Sequence, residues 1–438
     1  MAFTQRGIYG STLACECGRT HRIEPQQVVY ADDAIEQLPS IAGRWASGRR
    51  AAVVMDARTR QAAGAQAAAV LHGAGWAVQE LLVQDPGPNT SPVCDDRTHE
   101  KLSGQLREAD LILSVGSGVV CDLGKWLSFD RDLPFLAFAT AASMNGYASA
   151  NVAPTIEGVK ALLRARPPVA VLSSRRVLRS APPEMTAAGL GDVLAKSVSS
   201  ADWKLNQLLF GDYYCPRAVG LIAEIEPLYL DRPEALREQD QAIDALFEAL
   251  LLTGVAMTMA ETSSPSSGGE HLISHSLDMM SSVDGRPHDL HGRQVGVGTI
   301  LAAEIYRRVL AADRPQWREP TVRIDRPFWG RLADEVATAY QQKIPRLQAA
   351  AAALSDGETW DAIRRELPPL LRRPESIRDC LRRAGAAHLA EDIACDRARL
   401  LGALLHAHEI RDRFTILDVA LLAGVMPWAA GEIVESLA

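Results

Sequence analysis

One alternation constrains this chain more than any other feature: in its first half, short apolar or β-branched runs take turns with alanine-rich stretches. "RRAAVVMDART" reads as a buried strand ending at Asp56, "QAAGAQAAAVLHGAG" as a helix closed by glycine, and "WAVQELLV" as the next strand. "LREADLILSVGSGVVCDLGKWLS" repeats the unit as strand, glycine loop and helix, and "LPFLAFAT" and "PPVAVLSS" supply further strands. A β-α-β-α order predicts a parallel sheet covered by helices, with ligands at the carboxyl ends of the strands. Strand signals nearly vanish from about residue 183 onward, so an α/β domain over 1–182 and an all-α domain over 183–438 are expected. "DALFEALLLTGVAMTMA" and "VGVGTILAAEIYRRVLA" read as helices of the second domain. "RPQWREPTVRIDRP" reads as a charged connection, and the helical stretch beyond it, with the alanine run at 349–353, as a solvated subdomain.

With 438 residues, 47% of them hydrophobic and 23% charged, the chain is long enough for two or three domains with sizeable cores. A net charge of −8 argues against nucleic acid as a partner, because phosphate-backbone binding needs a basic face. "MAFTQRGIYG" lacks a basic segment followed by an apolar one, and no apolar run approaches the roughly 18 to 20 residues that span a bilayer. The expectation is a cytoplasmic protein without a membrane partner. Seven scattered cysteines, at 15, 17, 94, 121, 215, 380 and 395, fit reduced thiols rather than a disulfide framework.

Two stretches carry chemistry. "LILSVGSGVVCD" sets Gly116, Ser117 and Gly118 after a strand and at the start of a helix, where backbone N–H groups and the helix dipole favour a phosphate. Cys121 stands where the third glycine of G-x-G-x-x-G would be, so a plain tight turn is the competing reading. Asp56 is placed either to bind an adenosine ribose or to begin a turn. The second stretch, "SSPSSGGEHLISHSLDMM" followed by "DLHGRQVGVG", holds His271, His275 and His291. Two histidines and a carboxylate form a common three-ligand metal set with an open position. Asp192 in "AAGLGDVLAK" is the best third member, its alternative being an N-cap. His275, four residues after His271, can ligate, relay a proton or be a satisfied polar side chain.

Together with "ATAASMNGYASANVAPT", "AAGLGDVLAKSVSSADWKL", "GDYYC" and "IRDRFTILD", these stretches resemble the sn-glycerol-1-phosphate dehydrogenases, members of the iron-containing alcohol dehydrogenase and dehydroquinate synthase-like superfamily. The resemblance covers roughly residues 15–310 and returns near 408–420. It implies an α/β N-terminal dinucleotide-binding domain, an all-α C-terminal metal-binding domain of the dehydroquinate synthase-like kind, NAD or NADP, and one divalent metal ion, with zinc first and nickel or iron as alternatives. By the same resemblance Asp192, His271 and His291 are the metal ligands. Gly116, Ser117 and Gly118 hold the pyrophosphate, with Asp122 among the cofactor-binding residues, Asp56 the adenosine ribose, and Thr140 and Ser143 the nicotinamide side. "CECGRTH" also looks like the family's opening. Cys15, Cys17 and His21 could bind zinc, but C-x-C with one histidine lacks a fourth ligand, and a turn is the expectation.

These parts imply a reductase: the metal polarises a ketone, the nicotinamide delivers hydride, and His275 or a metal-linked water relays the proton. The expected partner is a small anionic carbonyl substrate, and a homo-oligomer is expected. Lys160, Arg286 and Arg293 are the basic candidates for its phosphate. The chain departs from the family at Asn145 of "SMNGYAS", where aspartate is usual, and at Ser264 of "SSPSSGGEH", where many members carry arginine. Asparagine removes a charge that would repel a carboxylate, so the expected substrate is a 2-oxo acid bearing a phosphate or phosphonate, phosphonopyruvate being the smallest example. On this reading Asn145 and His275 act in catalysis and Asn145, Lys160 and Ser264 contact substrate. The alternatives are dihydroxyacetone phosphate reduction and a lyase or cyclase of the dehydroquinate synthase type.

Overall fold

The computed structural model describes residues 7–87 and 90–437; the first six residues of "MAFTQRGIYG" lie outside them. By packing, the chain divides into two compact units, one of residues 1–189 with 220–263, the other of 190–219 with 264–438.

The first unit opens with a hairpin of β1 (Thr12–Ala14) and β2 (Thr20–Arg22). Its centre is a six-stranded sheet of β3 (Gln27–Tyr30), β4 (Arg50–Asp56), β5 (Ala77–Val83), β6 (Leu111–Gly116), β7 (Phe135–Ala139) and β8 (Ala170–Ser173). The strands lie in the order β3-β8-β7-β6-β4-β5, and every pairing is parallel. Five of the six are the apolar runs read from the sequence; β3 is an added edge strand. The central strands are buried on both faces, as continuous apolar runs of a helix-covered parallel sheet should be. Val53, Val54, Leu113 and Phe138 are fully buried, each such burial being worth about 1.5–3 kcal/mol. From β4 the chain steps outward to β5 and then returns to β6 on the other side. The strand order therefore reverses between β4 and β6, and a parallel sheet binds ligands beyond the carboxyl ends at such a point.

Helix α1 (Gly118–Asp130) follows β6 directly. The chain enters the second unit within α2 (Pro183–Leu194) and continues through α3 (Lys196–Phe210). Helix α4 (Asp240–Ala260) packs in the first unit, on the far side of the 182/183 boundary expected from strand signals. It also corrects the expectation that no apolar run is membrane-length: by length and composition α4 could cross a bilayer. Its window is 89% buried within the protein, however, as a core helix is. The second unit is built on α5 (Gly269–Asp284), α6 (His291–Leu310), α7 (Ala333–Leu354) and α8 (Ile416–Leu422). Residues beyond the charged connection are helical as read, but not merely solvated: α7 buries Val336, Tyr340, Lys343, Leu347 and Leu354, and Trp360 is buried in the next helix. All seven cysteines are free thiols.

Candidate metal and nucleotide sites

In the second unit three helices meet backbone to backbone. A side chain on Gly191 would sit 2.0 Å from the Gly292 carbonyl oxygen, and one on Gly298 would sit 2.6 Å from that of Glu270. These contacts exist only because glycine has no Cβ. They bring α2 and α5 against α6 and set Asp192, His271 and His291 together, with ligand atoms all within 4.8 Å of one another. Asp192 is 1% exposed and lies near the carboxyl end of α2, so its alternative as an N-cap does not apply. His271 Nε2 stands 3.5 Å from Asp192 Oδ1. His291 is the first residue of α6, its Nδ1 3.3 Å from Ser274 Oγ.

The donor set fits a divalent cation: one carboxylate and two imidazoles, nearly dry, from three elements. Burial opposes charge on the His271 ring, yet hydrogen bonds and charges from Asp192 and Glu270 outweigh it and raise its pKa to about 9. The pocket thus favours positive charge, which a divalent ion supplies through the same lone pairs. His275 lies one turn further along α5, 5% exposed, and its ring stacks on His291 with centroids 5.5 Å apart.

Glu270 was not anticipated. It is fully buried, accepts from the Gly268 N–H at 2.7 Å, and its Oε1 lies 2.7 Å from His271 Nδ1. It thereby fixes the ring with Nε2 turned toward Asp192, as outer carboxylates do for metal-ligating histidines. An acid directly before the histidine in "GGEH" was the available signal. Beneath it, Asp202 of α3 accepts from Tyr306 Oη at 2.6 Å and from the Gly269 and Ile416 amides at 2.8 Å each. Burial, then the charge of Glu270, pushes the Asp202 carboxyl up to about 7. Glu270→Gln should weaken metal affinity by about 10- to 100-fold with the helices intact, measured by chelator competition and circular dichroism. Unchanged affinity would mean that Glu270 does not orient the ligand.

In the first unit the nucleotide candidates gather at the carboxyl ends of β4, β6 and β7. Gly116 ends β6, and Thr140 after β7 donates its N–H to the Gly116 carbonyl at 3.2 Å. Ser117 and Ser143 share a short hydroxyl hydrogen bond. Ser117 precedes α1 without capping it through its side chain, which leaves the first turn's amides to a ligand. A Cβ on Gly118 would meet only Met144 Cγ, at 4.0 Å, so the protein's own packing does not require glycine there. The close helix-to-strand contact usually made by a third glycine falls to Gly124, where a Cβ would lie 1.9 Å from Ser114 Oγ. Cys121 is buried instead, and burial pushes its thiol up to about 12. Asp56 ends β4 and caps the next turn, its Oδ1 accepting from Thr59 N at 2.7 Å, while Oδ2 lies 3.8 Å from Arg58. Arg58 itself is held in a fork by Asp85 at 2.9 Å twice.

Asp122, whose carboxyl burial raises, accepts from the Ala153 amide at 3.2 Å, and Lys160 Nζ lies 3.5 Å from the Ala153 carbonyl. Lys125 was missed: 1% exposed, it donates to the carbonyls of Gly146 and Asn151 at 2.7 and 3.1 Å and so clamps the loop that carries Asn145. Asn145 starts the single turn Gly146–Ala148 in the first unit; Ser264 is half-buried in the second. Arg286 and Arg293 are engaged by carboxylates, Arg286 by Asp396 at 3.1 Å and Arg293 by Asp289 at 3.0 Å.

Residues 29–182 match the family model described as iron-containing alcohol dehydrogenase. Among solved structures, an alcohol dehydrogenase from Oenococcus oeni covers 95% of this chain and 99% of its own at a TM-score of 0.62 and 16% identity. A probable glycerol dehydrogenase from Sinorhizobium meliloti gives a TM-score of 0.60, also at 16% identity, over 94% and 97%. At those identities the likeness is one of fold. Glycerol-1-phosphate dehydrogenase (NAD(P)+) from Bacillus licheniformis is 29% identical over 96% of this chain and 94% of its own. The enzyme of that name from Pyrococcus furiosus is 33% identical over 64% and 79%. With 30% identity to the Geobacillus stearothermophilus enzyme over 93% of this chain and 95% of that one, on an iron-containing alcohol dehydrogenase fold, the chain belongs to the glycerol-1-phosphate dehydrogenase family.

Proposed function

We propose that this NAD(P)-dependent oxidoreductase reduces the ketone of a small phosphorylated substrate, dihydroxyacetone phosphate, to a secondary alcohol, sn-glycerol 1-phosphate. The observation that carries this reading is the Asp192–His271–His291 cluster in a chain matching relatives of that printed name nearly end to end. When bound, the divalent ion supplies Lewis acidity toward the ketone oxygen and the nicotinamide supplies hydride. Asp192, His271 and His291 hold the ion, and Glu270 fixes the His271 ring. The amides of the first turn after Ser117 cradle the pyrophosphate, with Thr140 and Ser143 at the nicotinamide side and Asp56 at the ribose. The reduction consumes one NAD(P)H and one proton per ketone; His275, buried beside His291, passes that proton to the carbonyl oxygen, which becomes the hydroxyl. Arg411 and Arg413 of "IRDRFTILD" suit the substrate's phosphate better than Arg286 or Arg293. Burial and the like charge of Arg413 lower Arg411 to about 10, and Arg413 donates to the Ser267 carbonyl at the approach to α5. A half-buried arginine held down in this way is stabilised by an anion.

A second reading, reduction of a 2-oxo acid with a phosphonate such as phosphonopyruvate, is favoured by Asn145 and Ser264 alone. Kinetics of the zinc-, nickel- or iron-loaded enzyme on both substrates separate the two. Stoichiometric NADH loss with dihydroxyacetone phosphate is expected, and Asn145→Asp should leave that activity within about threefold while cutting oxo-acid reduction by at least tenfold, from charge repulsion of about 1.4 kcal/mol or more. A strong preference for the oxo acid would replace the first reading by the second. No net NADH consumption with any ketone, despite bound metal and nucleotide, would point to the cyclase type.

A further inference from the structure

We infer a second metal site, for zinc, in the amino-terminal hairpin of the first unit, with Cys15, Cys17 and His21 as ligands. The expected turn is there, and it brings the ligands together. The Cys15 N–H donates to the Arg19 carbonyl and the Gly18 N–H to the Cys15 carbonyl, both at 3.0 Å, and Gly18 takes φ +84. The chain thus reverses within five residues and returns as β2, where His21 pairs with Leu13. Cys17 Sγ comes to 3.2 Å from His21 Nε2, and the ligand atoms of all three residues lie within 4.8 Å of one another. A tetrahedral zinc with bonds of about 2.3 Å to sulfur and about 2.0 Å to nitrogen separates those two atoms by about 3.5 Å.

The outer contact is also in place. His21 is 3% exposed, and its Nδ1 lies 2.9 Å from the carbonyl oxygen of Met259 in α4, in the same unit. A carbonyl oxygen only accepts, so Nδ1 carries the proton and Nε2 turns its lone pair toward the sulfur. This is the arrangement that presets a histidine for a metal. Both cysteines are half-buried, open enough for an ion to enter. Thiolates and imidazole select zinc over magnesium or calcium, whereas the carboxylate-bearing cluster of the second unit is less selective. The ion's role is structural: a hairpin with three-residue strands is marginal by itself, and coordination would close its turn and anchor it through His21 to α4. This inference does not depend on the substrate or on the reaction.

The test is metal counting on the full chain. Purified with zinc, the protein should hold two equivalents per chain, one of which survives His291→Ala. Cobalt substituted into that variant should show the charge-transfer absorption of thiolate ligands, with an intensity corresponding to at least two. Cys17→Ser should remove one equivalent and the band together. Because serine there could unfold the hairpin, His21→Cys serves as the second variant and should keep the equivalent while strengthening the band. One equivalent in the wild type, or a retained ion in His291→Ala without thiolate absorption, would overturn the site, as would a Cys15–Cys17 disulfide formed equally fast with and without zinc.

Discussion

Alanine at His271 or His291 lowers kcat/KM for ketone reduction by on the order of 10³, about 4 kcal/mol of transition-state stabilisation, and removes one equivalent of metal. The expectation rests on the small number of ligands. A site with three protein ligands loses a third of its donors with either residue, while Asp192 and Glu270 stay behind as buried carboxylates. Neither histidine is needed to hold the helices together, since the contacts at Gly191 and Gly298 are made by backbone. Metal analysis, circular dichroism and steady-state kinetics on the same preparations check the prediction. Full metal occupancy with normal turnover in either variant would refute the ligand assignment.

Gly118→Val weakens NAD(P)H binding by on the order of 100-fold and leaves the melting temperature nearly unchanged. Its Cβ would meet nothing in the protein closer than Met144 Cγ at 4.0 Å, and valine is a better helix former than glycine. Any loss must come from what the loop binds, because a β-branched side chain blocks phosphate approach to the amides after Ser117. Gly116→Val is the contrasting control: its Cβ would fall 2.5 Å from that of Val120, so it should destabilise the fold itself. Nucleotide titration by fluorescence and thermal melts separate the two effects. Unchanged affinity in folded Gly118→Val would remove the phosphate loop from the site.

The sheet was legible because its inner strands are apolar on both faces, so that "AAVVMD", "LILSVG" and "FLAFA" each read as a strand without reference to their partners. "QVVY" escaped notice: four residues at a sheet edge carry too short a pattern. The partition of helices was not legible either. The apolar residues of α4 say that it is buried, while its membership of the first unit is decided by side chains such as Asp244, which accepts from Tyr30 Oη at 2.6 Å across the chain. That Asp192, His271 and His291 belong together was readable from residue type and motif, and the fold does cluster them, whereas the buried charges around them were much less legible. Lys125, Asp202 and Glu270 are charged residues in helices, and local sequence reads such residues as solvated until tertiary contacts bury them. For Cys15, Cys17 and His21 the turn that the hairpin makes was legible, but the approach of sulfur to nitrogen there is set by the pairing of β1 with β2, which spacing alone does not show.

Asp202 has a consequence for how this family can diversify. One carboxylate takes the opening amides of two helices far apart in the chain, Gly269 ahead of His271 and Ile416 just after Arg413. An insertion or deletion between Arg413 and Ile416 would pull one amide off that carboxylate and disturb the seat of the other, so a change of length there would be felt at the His271 imidazole. New specificity in this lineage is therefore expected to come by exchange of single side chains, while the number of residues in that segment stays fixed.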